Sequence, residues 1–315
     1  MSQQQVHFGI QTPPQHVTYD ELVKLWRAAE QLGYDSAWVF DHFMPLTENY
    51  QGPCLEGMVA LTALATQTSR LRLGALVLGN SYRHPALLAN MAATQDIISN
   101  GRLEMGIGAG WHQREYDAYG IPFPPPAVRI RQLAEAIQVL KLLWTEHKAN
   151  FSGKYYTLTE ALCEPKPIQK PRPPIWVGGA GPQLTLRVVA QHADGWNTFA
   201  SGIEEYQALL KALADHCAAL DRDPATVQKS LHITLVIGRT SDEAEAKLQR
   251  IPLGRRDRTL EDARRRLVAG TPEECIARLK QYASLGVNHF IIGMMAPYDY
   301  AGLELFAQKV IPAFR

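Results

Sequence analysis

Cysteine is scarce in this chain of 315 residues: Cys54, Cys163, Cys217 and Cys275 are all there are, and no two stand at metal-ligand or redox spacing. Isolated cysteines suit a reducing interior and do not form a disulfide scaffold or a zinc ribbon. An excess of one charge is missing too. Lys and Arg number 32 and Asp and Glu 31, a formal balance of +1, which leaves no electrostatic footprint for nucleic acid or an anionic membrane. No apolar run approaches the roughly 20 residues of a spanning helix. Met1-Ser2-Gln3-Gln4-Gln5 is polar and leads straight into a strand, unlike a secretory leader. A cytoplasmic protein is expected, with neither nucleic acid nor membrane as partner.

Several catalytic signatures are absent as well. There is no Gly-x-Ser-x-Gly elbow, which disfavours a serine hydrolase. No Gly-Lys-Ser/Thr follows a glycine loop, so there is no Walker site. The first strand reads Val6-His7-Phe8-Gly9-Ile10 without a His-x-His pair, so a metallohydrolase barrel and a bound metal are not expected.

What is present is a regular alternation. Hydrophobic residues make up 46% of the chain, enough for a large core. Short β-rich runs cover Val6–Gln11, Ser36–Phe40, Leu71–Leu78, Arg102–Gly108, Pro174–Val177, Ala193–Phe199, Leu231–Gly238 and Asn288–Gly293. Most are apolar throughout, as parallel strands buried on both faces are. Helical patterns lie between them. Thr18-Tyr19-Asp20-Glu21 and Thr271-Pro272-Glu273-Glu274 are capping boxes, and Gly33 and Gly286 stand where those helices should stop. Ile130, Leu133, Ile137, Leu140 and Trp144 recur at helical spacing. Eight strand-helix units predict a single (β/α)8 barrel, α/β in class, spanning residues 1–315. Two segments read as insertions, about 150–173, dense in proline, and about 251–268, rich in arginine.

Barrel enzymes carry their chemistry at the carboxyl ends of the strands. Three ends stand out. Trp38-Val39-Phe40-Asp41-His42-Phe43 ends the second, where His42 is a candidate general acid or base and Asp41 a candidate to orient it. The fourth ends in Gly106-Ile107-Gly108-Ala109-Gly110-Trp111, followed by Arg114 and Glu115. Glycines so spaced admit a ligand onto the backbone, and Trp111 either stacks on a flat ring or fills the core. The fifth ends in Gly178-Gly179-Ala180-Gly181-Pro182, which reads as a helix-opening turn with free amides for a phosphate. The arginines at 255, 256, 258 and 264–266 form a patch that is either a solvated helix face or an anion clamp.

Taken together, the three strand ends, the Pro165-Lys166-Pro167 to Pro173-Pro174 stretch and Ala193-Asp194-Gly195-Trp196 resemble the bacterial luciferase-like superfamily. The closer resemblance is to its branch dependent on the deazaflavin coenzyme F420, and it runs from Phe8 to about Ile311. It implies a barrel with insertions, a flat ring in its mouth, and a non-prolyl cis peptide at Leu76-Val77 supporting that ring. Implied cofactor contacts are Leu76, Val77, Gly79, Asn80, Gly108, Gly110, Arg114, Glu115 and Gly178, Gly179, Ala180 and Gly181. Phe43 and Trp111 are implied to wall a small-molecule substrate pocket, with His42 and Asp41 catalytic. The leading expectation is hydride transfer between F420 and an organic substrate. The alternative is an FMN-dependent monooxygenase using reduced flavin and O2. The resemblance also implies a homodimer through barrel helices. It departs from the branch's glucose-6-phosphate dehydrogenases at Trp111, where they carry glutamate, and at Ala200-Ser201-Gly202, where they carry a phosphate-binding lysine.

Overall fold

The computed structural model describes residues 5–199, 202–251 and 259–315. Eight parallel strands close into a barrel: β1 (His7–Gln11), β2 (Ser36–Val39), β3 (Arg72–Ala75, resuming at Leu78–Gly79), β4 (Leu103–Gly108), β5 (Ile175–Gly178), β6 (Gly195–Phe199), β7 (Gln228–Ile233) and β8 (His289–Gly293). Each pairs with its neighbours in chain order. β8 returns to β1 with Phe8 against Phe290, and β3 meets β4 with Leu73 against Leu103. The (β/α)8 expectation holds, strand for strand.

Both faces of the strands are buried, but they differ in chemistry. Phe8, Ile10, Ala37, Val39, Leu73 and Met105 face outward and join the main core beneath the helices. The inward positions are mostly aromatic, polar or glycine, with few aliphatic side chains. Trp38, Leu76, Trp176 and Ile291 form a separate inner cluster. Around it, Ser36 Oγ meets His289 Nε2 at 2.8 Å and Trp38 Nε1 at 2.9 Å, while Trp176 Nε1 donates to Glu104 Oε2 at 2.6 Å. Arg72 closes an ion pair on the same carboxylate.

The helices that frame the mouth are α1 (Tyr19–Gln31), α2 (Gly57–Ala65), α3 (Pro85–Ile98), α4 (Gln113–Tyr119), α5 (Pro126–Thr145) and α6 (Thr185–His192). Both capping boxes form, at Thr18 and Thr271. Gly33 and Gly286 follow their helices at φ +84° and +92°, a left-handed backbone that glycine adopts freely.

Two expectations are corrected. The seventh run begins at Gln228 and breaks at Thr234. Its continuation, Leu235–Ile237, leaves the barrel and pairs with Val268–Gly270 in a separate two-stranded sheet. The helix after β5 starts at Thr185, so Pro182 precedes it by three residues instead of opening it. In the segment 150–173 the hairpin-like run Phe151–Tyr156 is borne out, since Ala149–Ser152 and Thr157–Ala161 form an antiparallel ribbon. Glu135 of α5 caps that ribbon by accepting the amides of Lys154, Tyr155 and Tyr156. In the arginine-rich segment, Arg255, Arg256 and Arg258 lie outside the described residues. Arg264 and Arg265 pair with Glu245 and Glu261 on an exposed surface, as a solvated helix face does. No helix among the described residues is long and apolar enough to cross a membrane.

Candidate active site

The mouth is organised by a bulge. Strand β3 stops at Ala75, the Leu76-Val77 peptide is cis, and the strand resumes at Leu78. Gln11 Nε2 fixes the bulge by donating to the Leu76 carbonyl at 2.7 Å. The Val77 side chain then lies over β4 and β5. A Cβ on Gly108 would stand 2.7 Å from Val77 Cγ2, and one on Gly178 would stand 2.8 Å from Val77 Cγ1. One on Gly106 would stand 2.0 Å from the Ala75 carbonyl oxygen. Real Cβ atoms do not approach so closely, so these glycines make room for the bulge. Gly106 and Gly108 therefore make room for the bulge, a steric reason for glycine that needs no ligand.

His42 follows β2 at the rim. Its Nδ1 lies 2.7 Å from Glu115 Oε2, which leaves Nε2 for the mouth. Phe40 and Trp111 flank the imidazole edge-on, with ring centres 4.9 and 5.8 Å away. Glu115 sits fully buried on α4 and also accepts the Tyr82 hydroxyl at 2.7 Å and the amides of Phe43 and Met44 at 2.6 and 3.1 Å. Burial alone would raise this carboxyl's pKa. The hydrogen bonds and the charge of His42, with those from Tyr82 and Phe43, outweigh it and hold the group below the usual carboxylate range. The Tyr82 phenol moves the other way, up, through burial and then its bond to Glu115.

Asp41 does not orient His42. Arg83 takes both its oxygens, at 2.7 and 2.8 Å, and the Gly79 amide donates to Oδ2 at 2.9 Å. Arg83 also pairs with Glu56. Neighbouring residues in extended chain point to opposite sides, so Asp41 and His42 cannot share a partner direction. Asp41 instead ties the end of β2 to the far side of the bulge. Arg114 is corrected too. It is exposed, and its guanidinium stacks over Tyr50 at 4.3 Å. Successive helical residues diverge by about 100°, so Arg114 cannot follow Glu115 inward.

Phe43 packs against Tyr82 and Tyr119, with ring centres at 4.5 and 4.9 Å, and Trp111 is 56% exposed beside His42. Both stand at the rim. Gly110 (φ +76°) turns the chain above Tyr116. Asn80 is buried beyond the bulge, and its Oδ1 has no hydrogen-bond partner among the described residues.

The Gly178–Gly181 turn is explained sterically at each glycine. Gly178 clears Val77, Gly179 has φ +138°, and a Cβ on Gly181 would meet Thr185 Oγ1 at 2.8 Å. The Gly179 amide donates to the Asn197 carbonyl at 3.0 Å, so it is not available to an anion. Ala180 to Leu184 are exposed ahead of α6, and no side chain caps that helix. Arg83, Tyr82 and Gln11 went unassigned in the sequence. Tyr82 and Arg83 stand together in the polar run Ser81-Tyr82-Arg83-His84 after β3, the signal that could have found them.

The F420-dependent glucose-6-phosphate dehydrogenase of Amycolatopsis mediterranei is 29% identical over 94% of each chain. That of Kineococcus radiotolerans is 30% identical over 91% of this chain and 90% of its own. Among solved structures, an F420-dependent secondary alcohol dehydrogenase in complex with an F420-acetone adduct superposes with a TM-score of 0.85 at 22% identity, over 99% of each chain. That identity speaks for the fold. The family description luciferase-like monooxygenase matches residues 3–264, and the chain belongs to that family.

Proposed function

We propose that the protein is an oxidoreductase that passes hydride between coenzyme F420 and a small organic substrate. The observation that carries this reading is the His42–Glu115 pair, set at the rim beside the Leu76–Val77 bulge. The F420-dependent relatives support it.

The residues of the mouth fit a flat cofactor with an anionic tail. The unpartnered Asn80 Oδ1 is an acceptor awaiting a donor beside the bulge. The exposed turn from Ala180 to Leu184, ahead of the positive end of α6, suits a phosphate. The bound deazaflavin supplies two-electron hydride chemistry. The chain supplies position and the proton. Leu76 and Val77 back the ring. His42 gives or takes a proton at Nε2, because Glu115 occupies Nδ1. Trp111 and Phe43 wall the substrate and limit water.

Fluorescence titration of the purified protein with F420 and with FMN tests the reading. Tight binding of F420 with weak binding of FMN is expected. The reverse order, with O2 consumption on adding reduced FMN, would replace it by the flavin monooxygenase reading.

A homodimer in the cytoplasm completes the proposal. α2 and α3 flank an apolar groove of about 640 Å3, and Val59, Leu87 and Ile98 are 69%, 57% and 43% exposed on these two helices. A second copy bringing the same face would bury them through a two-fold contact. The four cysteines are unpaired thiols, as suits a reducing compartment. Light scattering at micromolar concentration should give twice the chain mass, and Val59→Glu should halve it.

A further inference from the structure

In a ring of eight strands β7 stands opposite β3, so the end of β7 faces the bulge across the mouth. Ser230 on β7 points inward, where its Oγ meets Asn197 Nδ2 at 2.8 Å. His232, two residues on, shares that face. A Cβ on Gly293 of β8 would lie 2.7 Å from His232 Cε1 and 2.9 Å from its Nε2, so a glycine there is what leaves the imidazole room. Phe199, at the end of β6, packs edge-on against it with ring centres 4.9 Å apart. Nε2 is buried and has no hydrogen-bond partner among the described residues. A buried polar nitrogen left bare is unfavourable, and it calls for a functional account.

We propose that His232 Nε2 hydrogen-bonds an uncharged oxygen of the substrate and so selects a neutral carbonyl compound or its alcohol. This rests on the F420 reading above. With a ring leaning on Leu76 and Val77, the space left for substrate lies between that ring and β7. His42 then meets the carbonyl oxygen from β2, and His232 meets the second lone pair of that oxygen from the far side. Burial pushes the His232 imidazole down to about 4, so it is neutral at pH 7 and offers no charge to a phosphate. At the ends of the flanking strands β6 and β8, Phe199 and Met295 are 66% and 53% exposed and add apolar surface, while Thr234 at the end of β7 is polar but uncharged. A neutral, largely apolar substrate matches that lining.

The test uses acetophenone as the neutral probe and glucose 6-phosphate as the anionic one, with F420 affinity measured separately by fluorescence. The wild-type protein should oxidise reduced F420 with acetophenone in a saturable manner. His232→Leu should raise KM for acetophenone at least about tenfold, with kcat within about threefold and F420 Kd within about twofold. His232→Gln, which keeps a polar group, should recover most of the loss. In 15N-histidine spectra of the F420-loaded protein, the His232 Nε2 signal should move on adding acetophenone. An unchanged KM in His232→Leu, no saturable acetophenone reaction, a loss confined to F420 affinity, an unmoved Nε2 signal or efficient turnover of glucose 6-phosphate would each overturn the proposal. Failure of the wild-type protein to bind F420 would instead overturn the reading beneath it, and the titration alone decides that.

Discussion

Glu115 Oε2 approaches His42 Nδ1 to 2.7 Å across 73 residues of sequence. The carboxylate also gathers Tyr82 and two loop amides, so it positions the imidazole and the loop after β2 together. Glu115→Gln keeps the shape and removes the charge. Turnover of reduced F420 with acetophenone should fall about 100-fold, at the lower end of what acid–base assistance contributes, with F420 Kd unchanged. Because the folded pKa of Glu115 is depressed, its stabilising bonds are complete above the ordinary value of about 4.3 and are lost as pH falls through the folded value. An undiminished rate in Glu115→Gln would remove this pair from the mechanism.

Asp41 makes a structural prediction and not a catalytic one. Asp41→Asn leaves the largely buried Arg83 without its bidentate anion. Breaking such a pair destabilises by about 3–5 kcal/mol, less here because Glu56 remains. Urea unfolding should show a loss of about 2–3 kcal/mol, and F420 should bind more weakly because Gly79 loses its anchor. Unchanged stability would contradict the assignment.

Gly178→Ala puts a methyl group into Val77. Overpacking of this kind costs about 1–3 kcal/mol and should displace the bulge, weakening F420 binding. Val77→Ala in the same chain removes the obstacle. The double variant should therefore be more stable than Gly178→Ala alone. Simple additivity of the two changes would show that these side chains do not meet.

His289 sits neutral inside the barrel, its pKa lowered to about 3 chiefly by burial and then by His7. Its unfolded value is about 6.5, so the unfolded state takes the proton first. Its contribution is complete above about pH 6.5 and is lost as pH falls toward 3, at up to about 1.4 kcal/mol per pH unit. His289→Gln should flatten the stability curve between pH 6.5 and 4, as measured by urea unfolding. Parallel curves for the two proteins would sink this assignment.

The fold was legible because each strand is a compact apolar run and each helix announces its ends, as Thr18 and Thr271 do. His42 and the glycine turn were legible through their local residues, and the bulge only through the family resemblance. The partner of His42 was not. Adjacency in sequence favoured Asp41, yet extended chain sends neighbours apart, while a helix 73 residues on brings Glu115 in. The glycines were visible, but their reason was not. The neighbour they clear, Val77, belongs to another strand. The exit of β7 at Thr234 was hidden because Leu235–Ile237 is as apolar as the strand it continues.

Gly9 of β1 has one last consequence. A Cβ there would lie 2.1 Å from Ser36 Oγ and 3.2 Å from His289 Nε2, so its bareness lets β2 and β8 clasp each other across the strand that separates them. Backbone ladders tie neighbours only, and a ladder can slip by one register. A stitch that skips a strand forbids that slip. The floor of the barrel is thereby keyed like a lock, and residues at the opposite rim can be exchanged for new chemistry without the staves beneath them sliding.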